Sequence, residues 1–130
     1  MRLKEIYTRN ETLFFDSYAF FEILKGNLNY EPYKNCRIIT TKLNIFELYF
    51  GLLRDVDEQS AEKYLNKYYP FVLDFDKDIL IEAAKMRLRL RNRNISMTDC
   101  IGYILSLKLK IKFLTGDKEF ENFKNVEFVK

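Results

Sequence analysis

The stretch "TLFFDSYAFFEILKG", residues 12–26, decides the fold. Its opening "TLFFD" is a short apolar run that reads as a buried strand, and "SYAFFEILKG" has the length and the closing Gly26 of a helix. A strand that feeds straight into a helix is the opening unit of an α/β sheet. Asp16 stands at the junction, a carboxylate where the apolar sequence breaks for one residue. Its position raises the functional question.

Outward from this junction, strands and helices alternate. "NLNYEPYKN" carries Asn and Pro32 and reads as a connection, and "CRIIT" (36–40) is a second, β-branched strand. Thr41 offers an N-cap for the helix "KLNIFELYFGLLRD". "DEQSAEKYLNKYY" is a further amphipathic helix, and "PFVLDF" is predicted as a third strand opened by Pro70. "DKDILIEAAKMRLRLRN" is a long helix with its acids first and its arginines last, as the helix dipole prefers. "MTDCIGYILSLKLK" is helical, "IKFLT" is a strand, "DKEFENF" a short helix and "VEFV" a final strand. Short apolar strands separated by helices imply a central parallel sheet of four to five strands flanked by helices on both faces, a three-layer α/β sandwich.

The 130 residues, 48% hydrophobic and 16% aromatic, are expected to form a single domain, 1–130, that buries roughly 65–70% of its unfolded surface. Lys and Arg number 22 against 19 Asp and Glu, and the resulting net charge of +3 permits a polyanionic partner without demanding one. The N-terminal "MRLKEIYTRN" alternates charged and apolar residues and lacks the apolar core of a secretory signal, and no run reaches transmembrane length. A soluble cytoplasmic protein without membrane association is expected. Cys36 and Cys100 have no CxxC spacing and read as buried reduced thiols. The absence of histidine excludes Ser-His-Asp triads, histidine acid/base hydrolysis and histidine-ligated zinc.

In open parallel sheets ligands bind beyond the carboxyl ends of the strands, so acids at those ends matter. Asp16 ends the first strand, and Asp117 follows "KFLT" by one glycine, which puts both on one rim; each is equally a candidate helix N-cap. Glu47 shares a narrow polar stripe with Asn44, Gly51 and Arg54 on a helix otherwise nearly all apolar, implying near-complete burial around it. It either meets a thin strip of water, pairs with Arg54, or projects into a polar pocket. Asp99 lies in "SMTD", a capping box with Ser96 as N-cap, and its helix carries the small-residue stripe Gly102, Tyr103 and Ser106 beside the acid. Those small neighbours leave room for a ligand or for a close-packed helix. "RLRLRNRN" supplies Arg87, Arg89, Arg91 and Arg93, which helical projection splits into Arg87 with Arg91 and Arg89 with Arg93. They form a solvated helix end or hold a phosphate backbone near the acids. The nine tyrosines are scattered and read as packing.

Four carboxylates converging on one pocket would repel and raise one another's pKa unless cations neutralised them. With oxygen ligands only, the matching ions are Mg²⁺ or Mn²⁺. Such a cluster is the equipment for two-metal phosphodiester hydrolysis, which needs no protein-borne base.

The order of these motifs resembles that of PIN-domain ribonucleases, many of them VapC-type toxins of toxin-antitoxin pairs. The resemblance spans almost the whole chain: "LFFDS" with Asp16 and Ser17, "TKLNIFELYFG" with Glu47, "EAAKMRLRLR", "MTDCIG" with Asp99, and "FLTGDKEF" with Thr115, Asp117 and Phe120. Two positions depart from the family pattern: Tyr18, where Asn or Ser is usual, and "CIGYILS", where alanines are usual. The resemblance implies a parallel sheet of order 3-2-1-4-5, which brings Asp16 and Asp117 together. It also implies a Mg²⁺- or Mn²⁺-dependent endoribonuclease in which Asp16, Glu47, Asp99 and Asp117 hold the metals directly or through water. Ser17 and Thr115 would orient those ligands from behind, and the nearby arginines would hold RNA. An antitoxin partner and a homodimer follow from the same resemblance. The competing readings are a PIN-like binding module whose acids capture a partner's arginine, and a phosphoacceptor receiver domain, which the lone early Asp16 and the order of Asp117 and Lys118 argue against.

Overall fold

The computed structural model describes residues 11–130, so the reading of "MRLKEIYTRN" lies outside the described residues. Nine elements of regular structure carry the fold among them: β1 (Thr12–Phe15), α1 (Ser17–Leu24), β2 (Arg37–Ile39), α2 (Lys42–Asp55), α3 (Glu58–Tyr68), α4 (Lys77–Arg89), α5 (Met97–Leu109), β3 (Lys112–Thr115) and β4 (Val126–Phe128). The strands form one sheet of order β2-β1-β3-β4, parallel throughout. β1 is central, and its residues Leu13, Phe14 and Phe15 are wholly buried. Alternate residues of β1 point to opposite faces, so Leu13 and Phe15 join the core beneath α1, α2 and α3, while Phe14 joins the core beneath α4 and α5. The result is the expected helix–sheet–helix sandwich, with both cysteines free and buried. No helix among the described residues is long and apolar enough to cross a membrane.

Three expectations are corrected. "PFVLDF" is not a strand: Tyr69–Phe71 closes into a 3₁₀ turn, and only Val72 bridges, pairing in parallel with Thr40 beyond β2. The place of a third strand in the order 3-2-1-4-5 is thus kept by one residue pair. The run to Asp76, which caps α4, leaves no length for a ladder. The second correction concerns α2, which is not buried all round its polar stripe, because Phe46 is 70% and Phe50 53% exposed. Their rings stack 6.4 Å apart, with the Arg54 guanidinium 5.6 Å from the Phe50 ring. The third is that α4 ends at Arg89, so Arg91 and Arg93 lie beyond the helix and the alternating projection of four arginines does not apply.

The stripe of mostly small residues on α5 meets the sheet, not a further helix. Gly102 is buried against the Phe14 and Phe113 rings, Ser106 donates to the Tyr103 carbonyl at 2.6 Å, and the Tyr103 hydroxyl donates to the Lys124 carbonyl at 2.7 Å. This close approach sets α5 on the sheet and brings its N-terminal turn, with Asp99, to the rim where β1 and β3 end.

Candidate functional site

The register of β1 on β3 pairs Phe15 with Leu114, so the residues that follow, Asp16 just beyond β1 and Thr115 at the end of β3, stand side by side. Asp16 is 3% exposed and caps α1, its Oδ1 accepting from the Ala19 N–H at 2.8 Å. The Thr115 side chain hydrogen-bonds Asp16 and also accepts the Asp117 N–H at 3.1 Å, so one hydroxyl ties the two strand-end acids together. Asp117 caps the short 3₁₀ turn Lys118–Phe120 by accepting from the Glu119 N–H at 3.0 Å. Asp99 forms the expected capping box, accepting from the Ser96 N–H at 2.9 Å while the Ser96 hydroxyl accepts the Asp99 N–H at 3.1 Å.

Glu47 is half-buried on the stripe of α2 that faces α1. Ser17 opens α1 and donates its hydroxyl to Glu47 Oε1 at 2.5 Å, and one turn later Phe21 lies against Gly51, the residue one turn beyond Glu47. The two helices thus pack in a register that places polar groups opposite each other at the rim and apolar ones below. Arg54 does not reach Glu47; its guanidinium grips Asp55 at 2.8 Å in two bonds.

The four acids share one electrostatic neighbourhood. Burial pushes the Asp16 carboxyl up to about 8 against the pull of the Thr115 and Ala19 hydrogen bonds, and the charges of Asp99 and Asp117 add to the rise. Burial likewise raises Asp99, opposed by its bonds to Ser96 and reinforced by Asp117 and Glu47. Among the described residues none of the four forms a salt bridge. Nor do any three His, Cys, Asp or Glu side chains of the described residues stand as a set able to hold a metal ion. Asp16, Asp99 and Asp117 each give one carboxylate oxygen to their own helix cap, and Glu47 gives one to Ser17. As a donor set they suit a hard divalent ion, because all are oxygen ligands and the buried one lacks a basic partner among the described residues.

Gly116 sets the spacing between Thr115 and Asp117. A Cβ there would stand 2.3 Å from the Val129 carbonyl oxygen and 2.4 Å from the Tyr18 ring. Backbone cannot yield as a side-chain tip can, so Gly116→Ala is expected to cost about 1–3 kcal/mol, read as a lower melting temperature. Tyr18, the departure from the expected Asn or Ser, therefore packs beside this acid-bearing turn, and burial followed by the Glu22 charge raises its hydroxyl.

The arginines separate by partner. Arg93 is tied to the turn after Asp117, with Nε on Glu119 Oε1 at 3.1 Å, Nη2 on the Glu119 carbonyl at 2.7 Å and its guanidinium 5.1 Å from the Phe123 ring. Arg91 Nη1 donates to the Leu88 carbonyl at 3.1 Å. Arg87 and Arg91 edge an apolar groove of about 580 Å³ between α4 and α5, lined by Leu80, Leu88, Met97 and Ile101. Arg89 is exposed.

One site feature escaped sequence reasoning. Asn44 is 1% exposed and donates its Nδ2 to the Ser17 hydroxyl at 3.1 Å. The only signal was its place on the Glu47 stripe, three residues earlier in a helix rich in apolar residues.

Comparison with known proteins bears on the whole assembly. The PIN domain matches residues 13–126, and no curated protein matches the sequence. A chain of a toxin-antitoxin complex from Klebsiella pneumoniae superposes with a TM-score of 0.69 at 14% identity, covering 88% of this chain and 94% of that one. VapBC2 from Rickettsia felis, bound to a DNA fragment from its promoter, gives a TM-score of 0.69 at 15% identity over 92% of this chain and 99% of that one. VapBC-5 from Mycobacterium tuberculosis gives 0.64 at 19% identity over 92% and 98%. At these identities the superpositions establish the fold.

Proposed function

Since the chain belongs to the PIN-domain family, we propose that it is a Mg²⁺- or Mn²⁺-dependent endoribonuclease, the toxin of a toxin-antitoxin pair, with Asp16, Glu47, Asp99 and Asp117 as its metal ligands. The observation that carries the reading is a buried Asp16, raised to about 8 by burial with the charges of Asp99 and Asp117 adding to the rise, and without a basic partner among the described residues. A stable fold has no structural need for that arrangement, whereas a cation-binding one does.

When bound, the divalent ions would supply a water acidic enough to act as nucleophile near neutral pH and positive charge for the leaving oxygen. The chain's own part is to hold and orient. Thr115 couples Asp16 to Asp117, Ser17 holds Glu47, and the Ser96 cap fixes the turn bearing Asp99. Arg87, Arg89 and Arg91, on the α4 end, are the cations offered to the RNA backbone, with Arg93 bracing the Asp117 turn through Glu119. The exposed face of α2 around Phe46 and Phe50 supports a protein partner, an antitoxin or a second copy of the chain.

Homogeneous protein is expected to cleave single-stranded RNA with Mg²⁺ or Mn²⁺, to stop on chelation and to resume when metal is restored. Cleavage that persists unchanged in excess chelator contradicts this reading. A second reading, a PIN-fold binding module, is favoured by the same uncovered α2 face. Metal-independent complex formation with no cleavage of RNA would select it.

A further inference from the structure

We infer that Asn44 is a positioning residue that makes Ser17 an obligatory hydrogen-bond donor to Glu47 and so fixes the Glu47 carboxylate at the rim. The argument is one of donor and acceptor direction. Thr41 caps α2, its Oγ1 taking the Asn44 N–H at 3.3 Å, and donates its single proton to Asn44 Oδ1 at 2.6 Å. That fixes which way the amide points: Oδ1 lies on Thr41 and Nδ2 on Ser17. An amide nitrogen only donates, so the Ser17 oxygen acts as acceptor toward Asn44 and its one proton is left for Glu47. Four groups, Thr41, Asn44, Ser17 and Glu47, form a one-way relay that ends on a carboxylate.

Burial gives the relay its force. Thr41 is fully buried and Asn44 nearly so, so neither has water as an alternative partner, and reversing any one bond would leave a buried polar group unmatched. The relay also crosses between helices, since Thr41, Asn44 and Glu47 belong to the start of α2 and Ser17 to the start of α1. It thereby locks Glu47 to the helix that Asp16 caps.

The test compares wild-type protein with Asn44→Asp, Asn44→Ala, Ser17→Ala and the double variant Asn44→Asp/Ser17→Ala. Asn44→Asp keeps the shape and the Thr41 bond but cannot donate to Ser17; Asn44→Ala serves should the added charge prevent folding. In metal-free protein, three-bond NMR couplings of Glu47 report whether its side chain holds one rotamer. A single rotamer is expected in the wild type and averaging in every variant, whatever their melting temperatures. A Glu47 that stays locked in the Asn44 variants overturns the inference, because a merely structural asparagine would lower stability and leave Glu47 in place. The second readout rests on the function proposed above: the Mn²⁺ concentration giving half the rise in melting temperature. About a tenfold increase is expected for Asn44→Asp, and no further increase when Ser17→Ala is added. Additive increases overturn action through Ser17. A single Glu47 rotamer in the wild type and averaging in the variants, with no Mn²⁺ response even in the wild type, would uphold the relay and reject the metal site, so the two failures are separable.

Discussion

In metal-free buffer at pH 9, Asp16→Asn is expected to melt on the order of 10 °C above the wild-type protein, with the gap narrowing as pH falls and gone below about pH 4. The sign follows from linkage. Burial raises the Asp16 carboxyl from 3.8 to about 8, so the folded state holds its proton more tightly than the unfolded chain does. The stability this group contributes is complete below the unfolded value and is lost as pH rises through the folded one. Asparagine keeps an oxygen for the Ala19 N–H, so the cap survives while the charge is deleted. The same variant is expected to lose metal-dependent RNA cleavage by roughly a thousandfold or more. Gained stability with lost activity is the signature of a residue kept for function. Equal melting temperatures at pH 9, or cleavage at the wild-type rate, would contradict the account.

Mn²⁺ affinity is expected to rise about tenfold per pH unit from roughly pH 5 and to level off above about pH 8. An ion must displace the Asp16 proton before that carboxylate can act as ligand, and the proton leaves only near the raised value of about 8. Thermal melts across an Mn²⁺ series at several pH values measure this directly, because an ion that binds only the folded state raises the melting temperature with concentration. In the wild type, Mn²⁺ at a hundred times its Kd corresponds to about 2.7 kcal/mol of stabilisation. Asp16→Asn should show little rise at any pH. An affinity independent of pH would mean that the ion binds without Asp16.

The parts of the fold that could be read from residues are those fixed by local chemistry. "TLFFD" running into "SYAFF", the Thr41 cap and the Ser96–Asp99 capping box each declare themselves within four or five residues, and all three form. What could not be read depends on partners far along the chain. "PFVLDF" has strand composition, but its neighbours close a 3₁₀ turn on one side and an Asp76 cap on the other. The face of α2 bearing Phe46 and Phe50 has core composition and lies exposed, a placement that hydropathy alone cannot detect. At the candidate site, residue placement indicated four acids, and the strand order implied by the family resemblance made Asp16 and Asp117 neighbours. It did not indicate that Glu47 would meet Ser17 in place of Arg54, or that Arg93 would be drawn to Glu119. Those outcomes turn on side-chain geometry between elements 26 to 30 residues apart in sequence.

The central claim, that the four acids at the ends of β1 and β3 form a metal centre, is tested most directly by an anomalous difference map from crystals soaked in Mn²⁺ at pH 8. A manganese peak liganded by Asp16 and Asp117 is expected, with Asp99 and Glu47 bound directly or through water. A map with no peak at this rim, and with Asp16, Asp99 and Asp117 still engaged in their caps, would contradict it.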